Sequence, residues 1–79
     1  MNATPYTIRC APKIVKQLQK LPTKQRRIIL RLAEALAINP RPPGAIRIDG
    51  MTGLYSESIE ELNLIYKIEE QDVILLFVR

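Results

Sequence analysis

The side chains able to do chemistry in this 79-residue chain form a short set. There is no histidine and a single cysteine, Cys10. That removes Ser-His and Cys-His nucleophilic pairs and the usual zinc ligand sets, so no metal or other cofactor is expected. Acid–base chemistry would have to come from carboxylates, lysines, tyrosines or arginines. The best-ordered charges are Lys24, Arg27 and Arg31, whose i, i+3, i+7 spacing puts them on one stripe of a helix. Such a stripe fits an anionic partner, either nucleic acid or an acidic protein, and fits a solvated helix face equally well. The formal net charge of +4 conceals a division. Residues 1–47 carry ten Lys/Arg and one acid, Glu34, whereas residues 48–79 carry two Lys/Arg (Lys67 and Arg79) and seven Asp/Glu.

The elements that must position these groups follow from periodicity. Tyr6 to Cys10 alternates apolar and polar after Pro5 and reads as a strand. Pro12 suits the first turn of a helix whose apolar positions are Ile14, Val15, Leu18 and Leu21. Leu21-Pro22-Thr23 is a break, and Thr23 is expected to cap a second helix. That helix carries Ile28, Ile29, Leu32, Ala33 and Leu36 and ends near Asn39, since a residue before proline is pushed out of the helical region. Two helices joined so tightly form an antiparallel hairpin. Arg41-Pro42-Pro43-Gly44 is a stiff loop, Ala45 to Ile48 an extended segment, and 49–53 a turn.

The remainder reads as sheet. Leu54 to Ile59 is a short strand, and Glu60-Glu61 a turn. Leu62, Leu64, Tyr66 and Ile68 share the inward face of the next strand, with Asn63, Ile65 and Lys67 outward. After the acidic turn 69–72, Val73 to Val78 is apolar enough for a central strand. The order β-α-α-β-β-β predicts an α+β domain spanning 1–79, with an N-terminal helical hairpin packed on one face of a twisted, mainly antiparallel sheet. The other face is left partly open. No apolar run is long enough for a membrane span, and the N-terminal segment lacks a secretory pattern. A lone cysteine suits a reducing compartment, so a cytoplasmic location is expected.

Several words in this order resemble the RelE/ParE toxin superfamily of type II toxin–antitoxin systems. They are the strand followed by Ala11-Pro12, then Lys16 to Ala45 ("KQLQKLPTKQRRIILRLAEALAINPRPPGA"), Asp49 to Tyr55 ("DGMTGLY") and Leu64 to Arg79 ("LIYKIEEQDVILLFVR"). The resemblance implies a small toxin neutralised by a cognate antitoxin. In RelE-like members the open side of the sheet binds mRNA on the ribosome and cleaves it without a metal. Cations there hold the phosphate, while a tyrosine or lysine moves protons. ParE-like members inhibit DNA gyrase instead.

The departures lie at the expected chemistry. Basic residues usually follow Gly-Leu-Tyr at alternate positions, and here those are Ser56 and Ser58. The usual glycine turn is Glu60-Glu61, and the arginine expected three residues before Tyr66 is Asn63. The remaining catalytic candidates are Arg79, Lys67 and Tyr55, with Tyr55 expected on the face opposite Tyr66, which reads as core. Glu57, Glu60 and Glu61 are expected near the RNA face, where they would repel phosphate. Arg41, Arg47, Lys24, Arg27 and Arg31 are the candidates for RNA or antitoxin contact. The expected function is a RelE-like toxin component acting on ribosome-bound mRNA. The alternative is a non-catalytic binding protein, either a ParE-like gyrase inhibitor or a degenerate toxin retained as an antitoxin partner.

Overall fold

The computed structural model describes residues 5–48, 50 and 53–79. Its elements are β1 (Thr7–Cys10), α1 (Pro12–Lys20), α2 (Thr23–Ile38), β2 (Ile46–Arg47), β3 (Leu54–Ile59), β4 (Leu62–Glu69) and β5 (Asp72–Val78). They build one five-stranded sheet in the order β1-β5-β4-β3-β2, and α1 and α2 cover one of its faces. β2 to β5 pair antiparallel in succession, and β1 runs parallel to β5. The sheet is therefore mixed, and the helical hairpin with β2 to β4 supplies the long connection that parallel pairing of β1 with β5 needs. Of the turn expected over 49–53, residues 49, 51 and 52 lie outside the described set.

The helical hairpin starts as its prolines dictate. Pro12 opens α1, where a missing N–H costs nothing. At the second helix the expectation is corrected: Thr23 is the first helical residue, Pro22 occupies the cap position, and no side chain caps the helix. A different residue secures that junction. Arg26 donates from Nε to the Leu18 carbonyl (3.0 Å), which also accepts from the Leu21 N–H, and from Nη2 to the Leu21 carbonyl (3.1 Å), tying the end of α1 to the start of α2.

The core lies between hairpin and sheet. Ile14, Ile29, Ala33 and Leu36 from the helices meet Leu64, Tyr66, Val73, Leu75 and Val78 from the two central strands. A bulge shapes the β5 contribution. Tyr66 pairs with Leu75 but Ile65 with Phe77, so Leu76 is an extra residue and the inward positions become 73, 75 and 78. That explains how a nearly continuous apolar run still presents distinct inward and outward sides. β5 is central as expected, flanked by β4 and, over residues 72–75, by β1. Beyond β1, Gln17 of α1 takes over: its amide donates to the Val78 carbonyl (2.9 Å) and accepts from the Val78 N–H (2.8 Å). A side-chain amide thereby stands in for a neighbouring strand.

Gly53 shows why Gly-Leu-Tyr begins with glycine. Its φ is +77°, and a Cβ there would lie 2.9 Å from the Ile68 carbonyl oxygen. Position and conformation both exclude a side chain.

Candidate functional surface

Strand pairing sorts the candidate residues onto two sides. Directly opposed residues share a face, so Tyr55 with Tyr66, Glu57 with Leu64 and Ile59 with Leu62 all look toward the helices. The open side carries three cross-strand rows. The central row is Ile46, Ser56, Ile65 and Phe77; one flanking row is Leu54, Lys67, Ile74 and Arg9; the other is Ser58, Asn63 and Arg79.

The polar groups of this open side are largely engaged with one another. The Ser58 hydroxyl lies 2.6 Å from the Asn63 side-chain oxygen and donates to it. Lys67 Nζ lies 2.8 Å from Glu69 Oε2, and Arg9 pairs with Asp72 at 3.2 Å. Lys67 holds the Glu69 carboxyl below the usual carboxylate range, first through that hydrogen bond and then through its charge. Lys13 sits 4.8 Å from the Phe77 ring centroid, a cation–π contact. Arg79 is held through its backbone, which exchanges hydrogen bonds with Asn63 at 2.8 and 2.9 Å, and its side chain makes no ion pair among the described residues. Ile65 is only 1% exposed at the centre of the middle row, while Ile46 beside it is 66% exposed.

Two placements differ from expectation. Tyr55 does not occupy the face away from Tyr66; the two rings stack on the helix side at 5.7 Å between centroids. The positions are a hydrogen-bonded-register pair, which strand alternation within a single segment does not reveal. Glu57 likewise faces the helices rather than the open side. Arg79 and Lys67 do lie on the open side, but Asn63, which pairs with Arg79, and Lys67 are four residues apart on β4, about 13 Å along the strand. The Lys67 ammonium is drawn further off by Glu69. The three catalytic candidates Arg79, Lys67 and Tyr55 are therefore not gathered around one point.

A second cluster, missed at the sequence level, forms on the helix side under the 39–45 loop. The Tyr66 hydroxyl donates to the Pro40 carbonyl at 2.8 Å, and Tyr66 itself is wholly buried. Burial, with the charge of Glu57 and the neighbouring Tyr55 adding to it, pushes its hydroxyl up to about 12, with Arg41 opposing. A phenol so placed is no proton acceptor at neutral pH. Arg41 Nε donates to the Tyr55 hydroxyl at 3.1 Å, and its guanidinium lies 5.7 Å from that ring's centroid. That hydrogen bond is the main reason its basicity is raised. Arg41 is thus partly spent on holding the loop. Arg47, opposite Tyr55 on β2, is exposed.

Glu57 is the odd member. Its Oε1 is buried without a hydrogen-bond partner, and burial raises its carboxyl above the usual range. Gly44 makes room for it: a Cβ there would stand 3.1 Å from Glu57 Oε2. Alternation ties Glu57 to the side that Tyr55 occupies, and only the pairing of β3 with β4 shows which side that is.

Of the helical candidates, Lys24, Arg27 and Arg31 do come together. With Ile28 of α2 and Glu60 of the β3–β4 turn they line an open hollow of about 410 Å³. Among the described residues, no group of His, Cys, Asp and Glu is arranged to hold a metal ion, and no helix is long and apolar enough to cross a membrane.

No family model matches the sequence, and no curated protein matches it. Solved structures do resemble the fold. A chain of the archaeal RelE-RelB complex from Pyrococcus horikoshii superposes with a TM-score of 0.84 at 23% identity, over 95% of this chain and 93% of that one. For the toxin-antitoxin complex RelBE2 from Mycobacterium tuberculosis the values are 0.83 and 23%, over 99% and 93%. For the YoeB dimer from Staphylococcus aureus they are 0.79 and 18%, over 95% of each chain. Two helices on a five-stranded mixed sheet are thus the RelE-like fold, as the sequence resemblance implied.

Proposed function

We propose that this chain is the toxin component of a type II toxin–antitoxin pair, held inactive by a cognate antitoxin. The observation that carries this reading is the likeness, along nearly its whole length, to chains solved in RelE-RelB complexes. RelE-like action on ribosome-bound mRNA is the inherited activity, and it is attenuated here. Cleavage of this type needs cations converging on one phosphate, with each charge-stabilising group contributing a few kcal/mol. At the positions where the resemblance places basic residues, this chain has Ser56, Ser58 and Asn63, two of them bonded to each other. Arg79 is the candidate for phosphate contact, Lys67 for charge stabilisation after release from Glu69, and Tyr55 for proton transfer only if the Arg41 loop opens. Arg41 and Arg47 are candidates for contact with RNA or the antitoxin at the loop rim.

The engaged polar groups and the apolar middle row also favour a second reading, a non-catalytic protein that binds the antitoxin or another protein such as gyrase. Induced expression with mapping of mRNA 5′ ends on ribosomes separates the two. Weak cleavage abolished by Arg79→Ala supports the toxin reading. Growth arrest with intact mRNA supports the protein-inhibitor reading, and no arrest supports a retained antitoxin partner. Ser56→Lys, Ser58→Lys and Asn63→Arg together should raise cleavage at least about a hundredfold if the scaffold still presents mRNA to this face.

A further inference from the structure

The hollow between α2 and the β3–β4 turn is separate from the open sheet side and has a composition of its own. Three cations, Lys24, Arg27 and Arg31, stand over two turns of helix around the half-buried Ile28, and Glu60 closes the far rim. Arg27 and Arg31, four apart on the helix, are like charges in contact range and repel. Among the described residues none of the three makes an ion pair, and the nearby Arg26 is turned away onto the α1 carbonyls. This is a cation row with no ion-pair partner among the described residues, built around an apolar floor.

We infer that this hollow is a docking site for an acidic peptide segment that carries an apolar side chain between carboxylates. Charge complementarity provides the first half of the argument: carboxylates relieve the Arg27–Arg31 repulsion and pair with Lys24. The floor provides the second, because Ile28 offers the occupant an apolar contact at the centre of the row. A nucleic acid fits the same hollow less well. None of the lining residues is aromatic, so no base can stack there, and Glu60 with its neighbour Glu61 opposes a continuous phosphate chain on the rim. The inference rests on the proposed function only in assigning the natural segment to an antitoxin; the site itself does not depend on that assignment.

Fluorescence anisotropy on the whole chain at physiological salt tests it with three labelled probes. These are a short peptide with one leucine flanked by glutamates, the same peptide with serine in place of leucine, and a single-stranded RNA of equal charge. The leucine peptide should bind about tenfold tighter than the serine peptide, as expected for one buried aliphatic side chain. Arg27→Glu with Arg31→Glu should abolish binding of both peptides, and Ile28→Ser should bring the two to equal affinity. Glu60→Lys, at an exposed turn, should tighten the leucine peptide and gives a readout even if Ile28→Ser destabilises the fold. RNA binding that is tighter than the leucine peptide and lost in the Arg27→Glu, Arg31→Glu chain, no peptide binding, or an unchanged affinity in the Glu60→Lys chain would each overturn the inference. Since growth arrest and mRNA cleavage are read separately, failure of the toxin reading leaves this result standing, and the reverse holds too.

Discussion

On the helix side of β4, Leu64 and Tyr66 are completely buried and the tyrosine hydroxyl has its acceptor. On the other side of the same strand, Asn63 and Lys67 are tied to Ser58 and Glu69, and only Ile65 between them is sealed from solvent. The helix side is committed to the fold. The polar groups of the open side are mostly satisfied by one another around an apolar middle row, which is a poor arrangement for seizing a phosphate. Burial without partners is costly, whereas polar groups at the surface can bond each other or water for little net gain. The same strands can thus keep one face under strict demand while the other tolerates a wide choice of surface residues.

The largest break in this comparison is expected at Tyr66. Tyr66→Ala removes a wholly buried ring and should cost about 3–5 kcal/mol, close to the entire stability of a domain this small. The check is loss of a cooperative thermal transition. Glu57, a carboxylate turned toward the helices under the 39–45 loop, should respond in the opposite direction. Glu57→Leu is expected to gain about 1 kcal/mol at neutral pH, the low end for an unsatisfied acceptor since part of the side chain meets solvent. The sign of its pH dependence follows from the raised carboxyl. The folded chain holds this proton more tightly than the unfolded one, so its contribution is most favourable below about 4.5, the ordinary value, and is lost as pH rises through the folded value. The gap in melting temperature between Glu57→Leu and the parent chain should therefore widen from acid to neutral pH. A gap that stays constant would mean that Glu57 is solvated in solution.

A smaller effect is expected at the two hairpin turns. Glu60 and Glu70 adopt left-handed φ of 54° and 52°, a region that glycine enters without steric penalty. Glu60→Gly and Glu70→Gly should each stabilise by about 0.5 kcal/mol, raising the melting temperature by a few degrees. The smallest is Ser56→Ala in the middle row of the open side, expected within about 0.5 kcal/mol of the parent in chemical denaturation. A loss above 1 kcal/mol there would show that the open side carries more of the fold than its exposure implies.

The elements were legible because each depends on local chemistry. Pro12 starts α1, Asn39-Pro40 ends α2, and the inward set Leu64, Tyr66 and Ile68 follows from simple alternation. The site was less legible. Tyr55 and Glu57 were assigned to the open side because strand alternation cannot say how one strand sits against the next. Thr23 looked like a cap, and the junction is held instead by Arg26, whose long side chain reaches carbonyls eight and five residues away. The clustering of Lys24, Arg27 and Arg31 was visible, while Glu60 closing the same hollow was not.

Composition and periodicity by themselves determined the α+β order of the elements, the absence of histidine chemistry, and the division of charge between a basic first half and an acidic second half. That positions 56, 58 and 63 would carry basic side chains was implied by the family resemblance alone. Only the tertiary structure decided which face each remaining group occupies. A one-residue choice of register moves every side chain of a strand to the other side, and register is set by long-range pairing, by the bulge at Leu76 and by the burial of Tyr66 rather than by any local word.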